Sequence, residues 1–252
     1  MKFLALIPSR YASTRFPGKP LAEIGGKPIV QHVYERASEV FDAVYVATDD
    51  ERISAAVEAF GGRVVMTRAD HRSGTDRCYE ALQHIDPNGS YDVVVNIQGD
   101  EPFIAASQLR SISACFDDAR TQIATLVKPF SPDAAWETLE NPNSPKVVTD
   151  DNGFALYFSR SVIPYLRGRE RETWLATHQY LKHIGLYAYR TDALREITQL
   201  PQSTLELAES LEQLRWLQAG YKIKVEKTDV ETIGIDTPDD LERARAFYEA
   251  QR

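Results

Sequence analysis

Short apolar, β-branched runs punctuate this chain, and amphipathic stretches separate them. The runs at 2–7, 43–48, 63–67, 92–97 and 122–127 predict strands. Phe3-Leu4-Ala5-Leu6-Ile7 and Val93-Val94-Val95 carry no polar alternation, as in strands covered on both faces. Between the runs lie helical patterns at 29–40, 50–60, 74–84 and 106–116. In the first, Ile29, Val33, Ala37 and Val40 recur at helical spacing. Strand–helix alternation predicts an α/β fold with a mainly parallel sheet covered by helices. The second half is richer in strand patterns, at 146–149, 154–159, 183–190 and 221–227. A continuous helix is expected over 203–220, opened by the capping-box pair Ser203 and Glu206 and stopped by Gly220. Its Leu207, Leu211 and Leu214 form one face, with Glu209, Glu212, Gln213 and Trp216 opposite. No repeat or linker breaks the chain. The expectation is one domain over 1–252, with a subsidiary sheet or lid around 130–190.

In open α/β sheets ligands bind beyond the carboxyl ends of the strands. Two polar stretches sit there. The first, IPSRYASTRFPGKPL (7–21), holds Arg10, Arg15 and Lys19, with Gly18 beside the lysine and prolines at 8, 17 and 20. Glycine permits close backbone approach and prolines stiffen the chain, so the cations are held ready for an anion. The spacing is neither G-x-x-x-x-G-K-[ST] nor G-x-G-x-x-G. The second, VVVNIQGDEPFI (93–104), offers Asp100 and Glu101 as hard oxygen ligands for Mg2+; an acidic turn capping the next helix is the competing account. In ADHRSGTDR (69–77), Ser73 reads as a helix cap with Asp76 in the first turn.

Charge narrows the ligand. The 252 residues carry 29 Lys and Arg against 37 Asp and Glu, a net −8. No basic face of the kind nucleic acid needs is present, so the cations suit a small anion. Cys78 and Cys115 are too few for a disulfide framework or zinc site and read as buried thiols. The N-terminal apolar run is too short for a signal peptide, and no segment has the length of a membrane span. A cytoplasmic protein is expected.

Taken in order, IPSRYASTRFPGKPL, ATDDERI, TRADHRSGTDR, NIQGDEPFI, ALYFSRSVIP, KHIGLYAYR, LELAESLEQLRWLQAG and IDTPDDLERA resemble the 3-deoxy-manno-octulosonate (Kdo) cytidylyltransferase family across residues 7–245. The resemblance implies a Rossmann-like nucleotidyltransferase sheet with a subsidiary strand-rich dimerisation region. It implies transfer of CMP from CTP to Kdo for lipopolysaccharide biosynthesis, in a homodimer. A related acidic sugar, 8-amino-Kdo or sialate, is the alternative acceptor. A module that binds CTP without turnover is the non-enzymatic rival. By the same resemblance, Arg10, Arg15, Lys19, Ser73, Gly74, Arg77 and Gln98 contact nucleotide. Lys19, Asp100 and Asp236 are catalytic, with Asp100 and Asp236 on Mg2+. Arg160, His183, Tyr187, Glu209, Glu212 and Gln213 hold the sugar. In NPNSPKVV, Pro145 before Lys146 departs from the family pattern.

Overall fold

The computed structural model describes residues 1–12, 15–231 and 233–250. In chain order the strands are β1 (Phe3–Ser9), β2 (Glu23–Ile24), β3 (Lys27–Pro28), β4 (Val44–Thr48), β5 (Val64–Met66), β6 (Val93–Asn96), β7 (Ile123–Pro129), β8 (Lys146–Thr149), β9 (Ala155–Ser159), β10 (Leu181–Arg190) and β11 (Ile223–Lys227). The α-helices are α1 (Ile29–Ser38), α2 (Glu51–Ala59), α3 (Gly74–Ile85), α4 (Ala106–Ala114), α5 (Trp136–Glu140), α6 (Trp174–Thr177), α7 (Thr191–Ile197), α8 (Thr204–Glu209), α9 (Gln213–Gln218) and α10 (Pro238–Ala250). The fold is α/β with a mainly parallel sheet. The chain divides into two compact units, one of Met1–Arg110, Ala188–Thr198 and Thr232–Arg252, the other of Ser111–Tyr187 and Gln199–Glu231.

In the first unit β1 pairs in parallel with β4 and β6, and β4 with β5. Leu4, Ala5, Leu6, Ile7, Val93, Val94 and Val95 are all buried, which accounts for their unbroken apolar runs. α1 turns Ile29, Val33 and Ala37 inward. A second cluster joins Ile24, Ile29, Phe103, Ile235, Leu241 and Ala244, so α10 packs on the β2–β3 hairpin. There Gly25 sits at φ +57°, and a Cβ on it would lie 2.1 Å from Cε1 of Tyr248. Arg245 of α10 donates to the Glu23 carbonyl at 3.0 Å.

In the second unit β7 pairs in parallel with β11, while β8 lies antiparallel to both β9 and β10. Leu139, Trp174, Leu175 and Tyr180 form an aromatic satellite core, with Trp136 edge-on to Trp174 at 5.5 Å.

The stretch expected as one helix over 203–220 is broken. The capping box of Ser203 and Glu206 forms as expected. Ser210 then turns to φ 51° and ψ 48°, ending α8, and α9 begins at Gln213. The break reorients the surface. Leu207 is exposed, whereas Gln213, Leu214 and Trp216 are buried. Glu206 also turns inward, where Arg215 holds it with bonds of 2.6 and 2.8 Å. The aliphatic face expected of a straight helix is thereby split, and Trp216 belongs to the interior.

Candidate active site

The opening loop leaves β1 at its carboxyl end. Gly18, at φ +73°, donates its amide to the Tyr11 carbonyl at 2.9 Å and closes the loop on itself. Only glycine takes that conformation at little cost. A Cβ there would lie 3.1 Å from the Tyr11 ring. Arg52 also lies over that ring, its guanidinium carbon 3.3 Å from the ring centroid, and Asp50 holds it by bonds of 2.9 and 2.7 Å. A single 3-10 turn follows, and it carries Lys19 inward.

Lys19 Nζ donates to Asp100 Oδ2 at 2.7 Å and to Asp236 Oδ1 at 3.3 Å. Arg15 Nη2 reaches the same Asp236 oxygen at 3.1 Å. Asp100 comes from the turn after β6, placed by Gly99. A Cβ on Gly99 would lie 2.7 Å from Ser9 Oγ and 2.9 Å from the Pro8 carbonyl, so the turn packs directly on the end of β1. The Asp100 carbonyl accepts from the Ile235 amide at 3.0 Å, which draws the Asp236 segment alongside. Helix capping does not use the Asp236 carboxylate. Thr237 Oγ1 accepts from the Asp240 amide at 3.2 Å, and Asp240 Oδ2 accepts from the Asp236 and Thr237 amides at 3.0 and 2.9 Å.

These side chains border a cavity of about 270 Å3. Arg10, Arg15, Lys19, Ser73, Gly74, Arg77, Gln98, Asp100 and Asp236 all line it, whereas Glu101, offered by the sequence as a second oxygen ligand beside Asp100, is not among the lining residues. Their environments differ. Arg77 is buried, 3.2 Å from Asp49 Oδ1 and 2.6 Å from Thr67 Oγ1, so its charge is already paired. Ser73 is both wall and cap: its hydroxyl accepts from the Asp76 amide at 3.2 Å. The positive end of α3 thus borders the cavity, as suits an anion. His71 and Arg72 also line it and had no assigned role in the sequence; Glu80 is hydrogen-bonded to His71.

The residues expected at the sugar lie in the second unit. Arg160 donates from Nε to the Glu209 carbonyl at 2.6 Å, from Nη1 to Pro142 at 2.8 Å and from Nη2 to Ser210 at 3.2 Å. Three of its five N–H groups are thus committed, which leaves two uncommitted among the described residues. Glu209 accepts from Ser159 Oγ at 2.6 Å and the Arg160 amide at 2.9 Å. The His183 ring is 5.3 Å from that of Tyr187, which is 5.3 Å from Trp216. Burial pushes the His183 imidazole down to about 4, so the ring is neutral at neutral pH. Gln213 is buried, and its Nε2 has no hydrogen-bond partner among the described residues. Glu212 faces Arg215 at 3.6 Å.

Asp100 and Asp236 meet on one ammonium, with Arg15 also on Asp236, and hard oxygen donors of this kind suit Mg2+. No group of three or more His, Cys, Asp or Glu suited to a metal occurs among the described residues. Mg2+ needs none, since water and phosphate oxygens complete its shell.

A family model described as Cytidylyltransferase matches residues 4–225. The chain is 67% identical over 247 residues to the 3-deoxy-manno-octulosonate cytidylyltransferase of Bacteroides thetaiotaomicron, covering 98% of each chain. It is 68% identical over 247 residues to the protein of that name from Phocaeicola vulgatus, covering 98% of this chain and 97% of the other. Among solved structures, it is similar to CMP:2-keto-3-deoxy-manno-octonic acid synthetase complexed with CTP, at 44% identity and a TM-score of 0.91 over 100% of both chains. With a cation-lined cavity at the strand ends and likeness of this extent, the chain belongs to the cytidylyltransferase family, on its 3-deoxy-manno-octulosonate branch.

Proposed function

We propose that this protein transfers CMP from CTP to the anomeric 2-hydroxyl of Kdo, releasing pyrophosphate. The observation that carries the reading is Lys19 held between Asp100 and Asp236 in a cavity also lined by Arg10 and Arg15. In the reaction the sugar hydroxyl oxygen forms a bond to the α-phosphorus as the bond to pyrophosphate breaks. The leaving oxygen takes that electron pair, and the hydroxyl proton passes to solvent. Such a transfer needs positioning and charge neutralisation rather than a protein nucleophile.

In this reading Arg10, Arg15 and Lys19 hold phosphate oxygens and meet the charge that grows on pyrophosphate. Ser73, Gly74, Arg77 and Gln98 form the wall against which the nucleotide lies. Asp100 and Asp236 would hold Mg2+, which supplies Lewis-acid neutralisation of the phosphate oxygens. Lys19 bridges the two carboxylates and holds them as a pair. On the acceptor side, the remaining N–H groups of Arg160 suit a planar carboxylate. The unpartnered Nε2 of Gln213 is a donor for a sugar oxygen, and neutral His183 adds no charge to an anionic ligand.

The same reading makes the protein a cytoplasmic homodimer joined through part of its second half. Among the described residues no helix is long and apolar enough to cross a membrane.

The experiment is pyrophosphate release with CTP and a panel of Kdo, 8-amino-Kdo and sialate. The expected outcome is turnover with Kdo at the highest kcat/KM. Equal or greater turnover with 8-amino-Kdo or sialate reassigns the acceptor. CTP binding without pyrophosphate release from any of the three overturns the enzymatic reading.

A further inference from the structure

Lys146 is the first residue of β8, the strand between β9 and β10, and it is fully buried. A buried ammonium is costly unless every proton finds an acceptor. Here each does. Nζ donates to the carbonyls of Asn141 and Ser144 at 3.0 Å each and to that of Arg160 at 2.8 Å. An ammonium has three donors and no acceptor, so this one is saturated and has nothing left to offer a ligand. Any role it plays passes through the groups it holds.

Those groups converge on one side chain. The turn over 141–144 supplies carbonyls to two cations: Asn141 and Ser144 to Lys146, and the intervening Pro142 to Arg160 Nη1. Lys146 also takes the Arg160 main-chain carbonyl, while the Arg160 amide donates to Glu209. On its far side the Arg160 guanidinium is held by the carbonyls of Glu209 and Ser210, the latter in the left-handed conformation. A non-glycine residue held there stores strain, and such residues cluster at functional sites. Two turns and one buried ammonium therefore fix where the two uncommitted N–H groups of Arg160 point.

We propose that Lys146 is a positioning residue for the acceptor sugar, acting by holding the 141–144 turn and the Arg160 backbone so that the Arg160 guanidinium is set in advance for a carboxylate. The proposal rests on the reading of Arg160 as a sugar contact. Removing the ammonium leaves three carbonyls without their donor, two of them in the turn that steers Arg160, and the turn must rotate to find new partners. The loss then falls on sugar affinity and not on the nucleotide.

The test compares Lys146→Met, Arg160→Ala and the double variant, reading KM for each substrate, kcat and Tm. Lys146→Met is expected to raise the sugar KM tenfold or more while the CTP KM stays within twofold. In the Arg160→Ala background it is expected to add less than twofold, because residues acting as one unit are not additive. A merely structural role lowers Tm and the active fraction but leaves both KM values in place, and that result overturns the proposal. An undiminished effect of Lys146→Met in the Arg160→Ala background also overturns it. Sugar KM unmoved by Arg160→Ala removes the sugar reading of Arg160 and the proposal with it. Sugar KM raised by Arg160→Ala but not by Lys146→Met removes the proposal alone. If Lys146→Met does not fold, Lys146→Gln, which keeps two donors, is judged by the same criteria.

Discussion

Lys19 Nζ stands 3.3 Å from Asp236 Oδ1 although 217 positions separate them in the chain. The contact makes Asp236 part of the same acidic pair as Asp100, and the capping box of Thr237 and Asp240 frees its carboxylate from any duty at α10.

That division of labour gives the first prediction. Asp236→Asn and Asp100→Asn should each lower kcat/KM by at least about tenfold and raise the Mg2+ concentration needed for half-maximal rate. The melting temperature of Asp236→Asn should stay near that of the unmodified protein, because the cap is intact. Mg2+ titrations of pyrophosphate release check it; an unchanged Mg2+ response in Asp236→Asn ends the two-carboxylate account.

The cations of the opening loop should not be equivalent. Lys19 has 12% of its side chain exposed and Arg15 has 65%. A partly buried, charge-assisted contact contributes about 1.5–3 kcal/mol, whereas an exposed one is screened. Lys19→Ala should therefore cost roughly tenfold or more in kcat/KM for CTP, and Arg15→Ala less. Raising the salt should shrink the Arg15 effect and leave most of the Lys19 effect. Equal losses with equal salt dependence would contradict the burial argument.

Gly99→Ala tests the close packing beneath Asp100. The new Cβ would have to displace the Pro8 carbonyl and the Ser9 hydroxyl, both under 3.0 Å away. Overpacking of this kind costs about 1–3 kcal/mol. Both Tm and kcat should fall, since the same turn carries the carboxylate. A variant with unaltered Tm would show that the turn can move without loss.

His183 predicts a pH dependence. Its pKa is about 4 in the folded protein and near 6.5 when unfolded, because burial disfavours the imidazolium. Between those values the unfolded chain binds more protons, so stability rises with pH from about 4 to 6.5 and is then level. His183→Gln should flatten that segment of the Tm–pH curve. A slope equal to that of the unmodified protein would place the titrating group elsewhere.

Which features could be read from the sequence follows from how local their causes are. Strands such as β1 and β6 are legible because burial on both faces leaves an unbroken apolar run. The cavity residues are legible because glycine, proline and fixed charge cluster at strand ends and because the family resemblance supplies their roles. The break after Glu209 is not legible: Ser203-x-x-Glu206 and the leucines favour one helix, and what ends it is a left-handed Ser210 whose carbonyl goes to Arg160, 50 positions away. Lys146 is hidden for the same reason. A lysine opening a strand reads as an exposed edge residue, and its three carbonyl acceptors come together only in the folded chain. Arg52 against Tyr11 likewise joins a helix N-terminus to a loop that no short-range pattern connects.

The docking of α10 on the β2–β3 hairpin, with Tyr248 seated at Gly25, has a consequence for how the protein is made. Translation delivers the basic loop well before the lead-in to α10. At about 5–20 residues per second, Lys19 leaves the ribosome about 10–40 s before Asp236 does. Over that interval the nascent chain carries the cations of the basic loop first with neither carboxylate and then with Asp100 alone. The acidic pair around Lys19 is therefore complete only after the segment leading into α10 has been made.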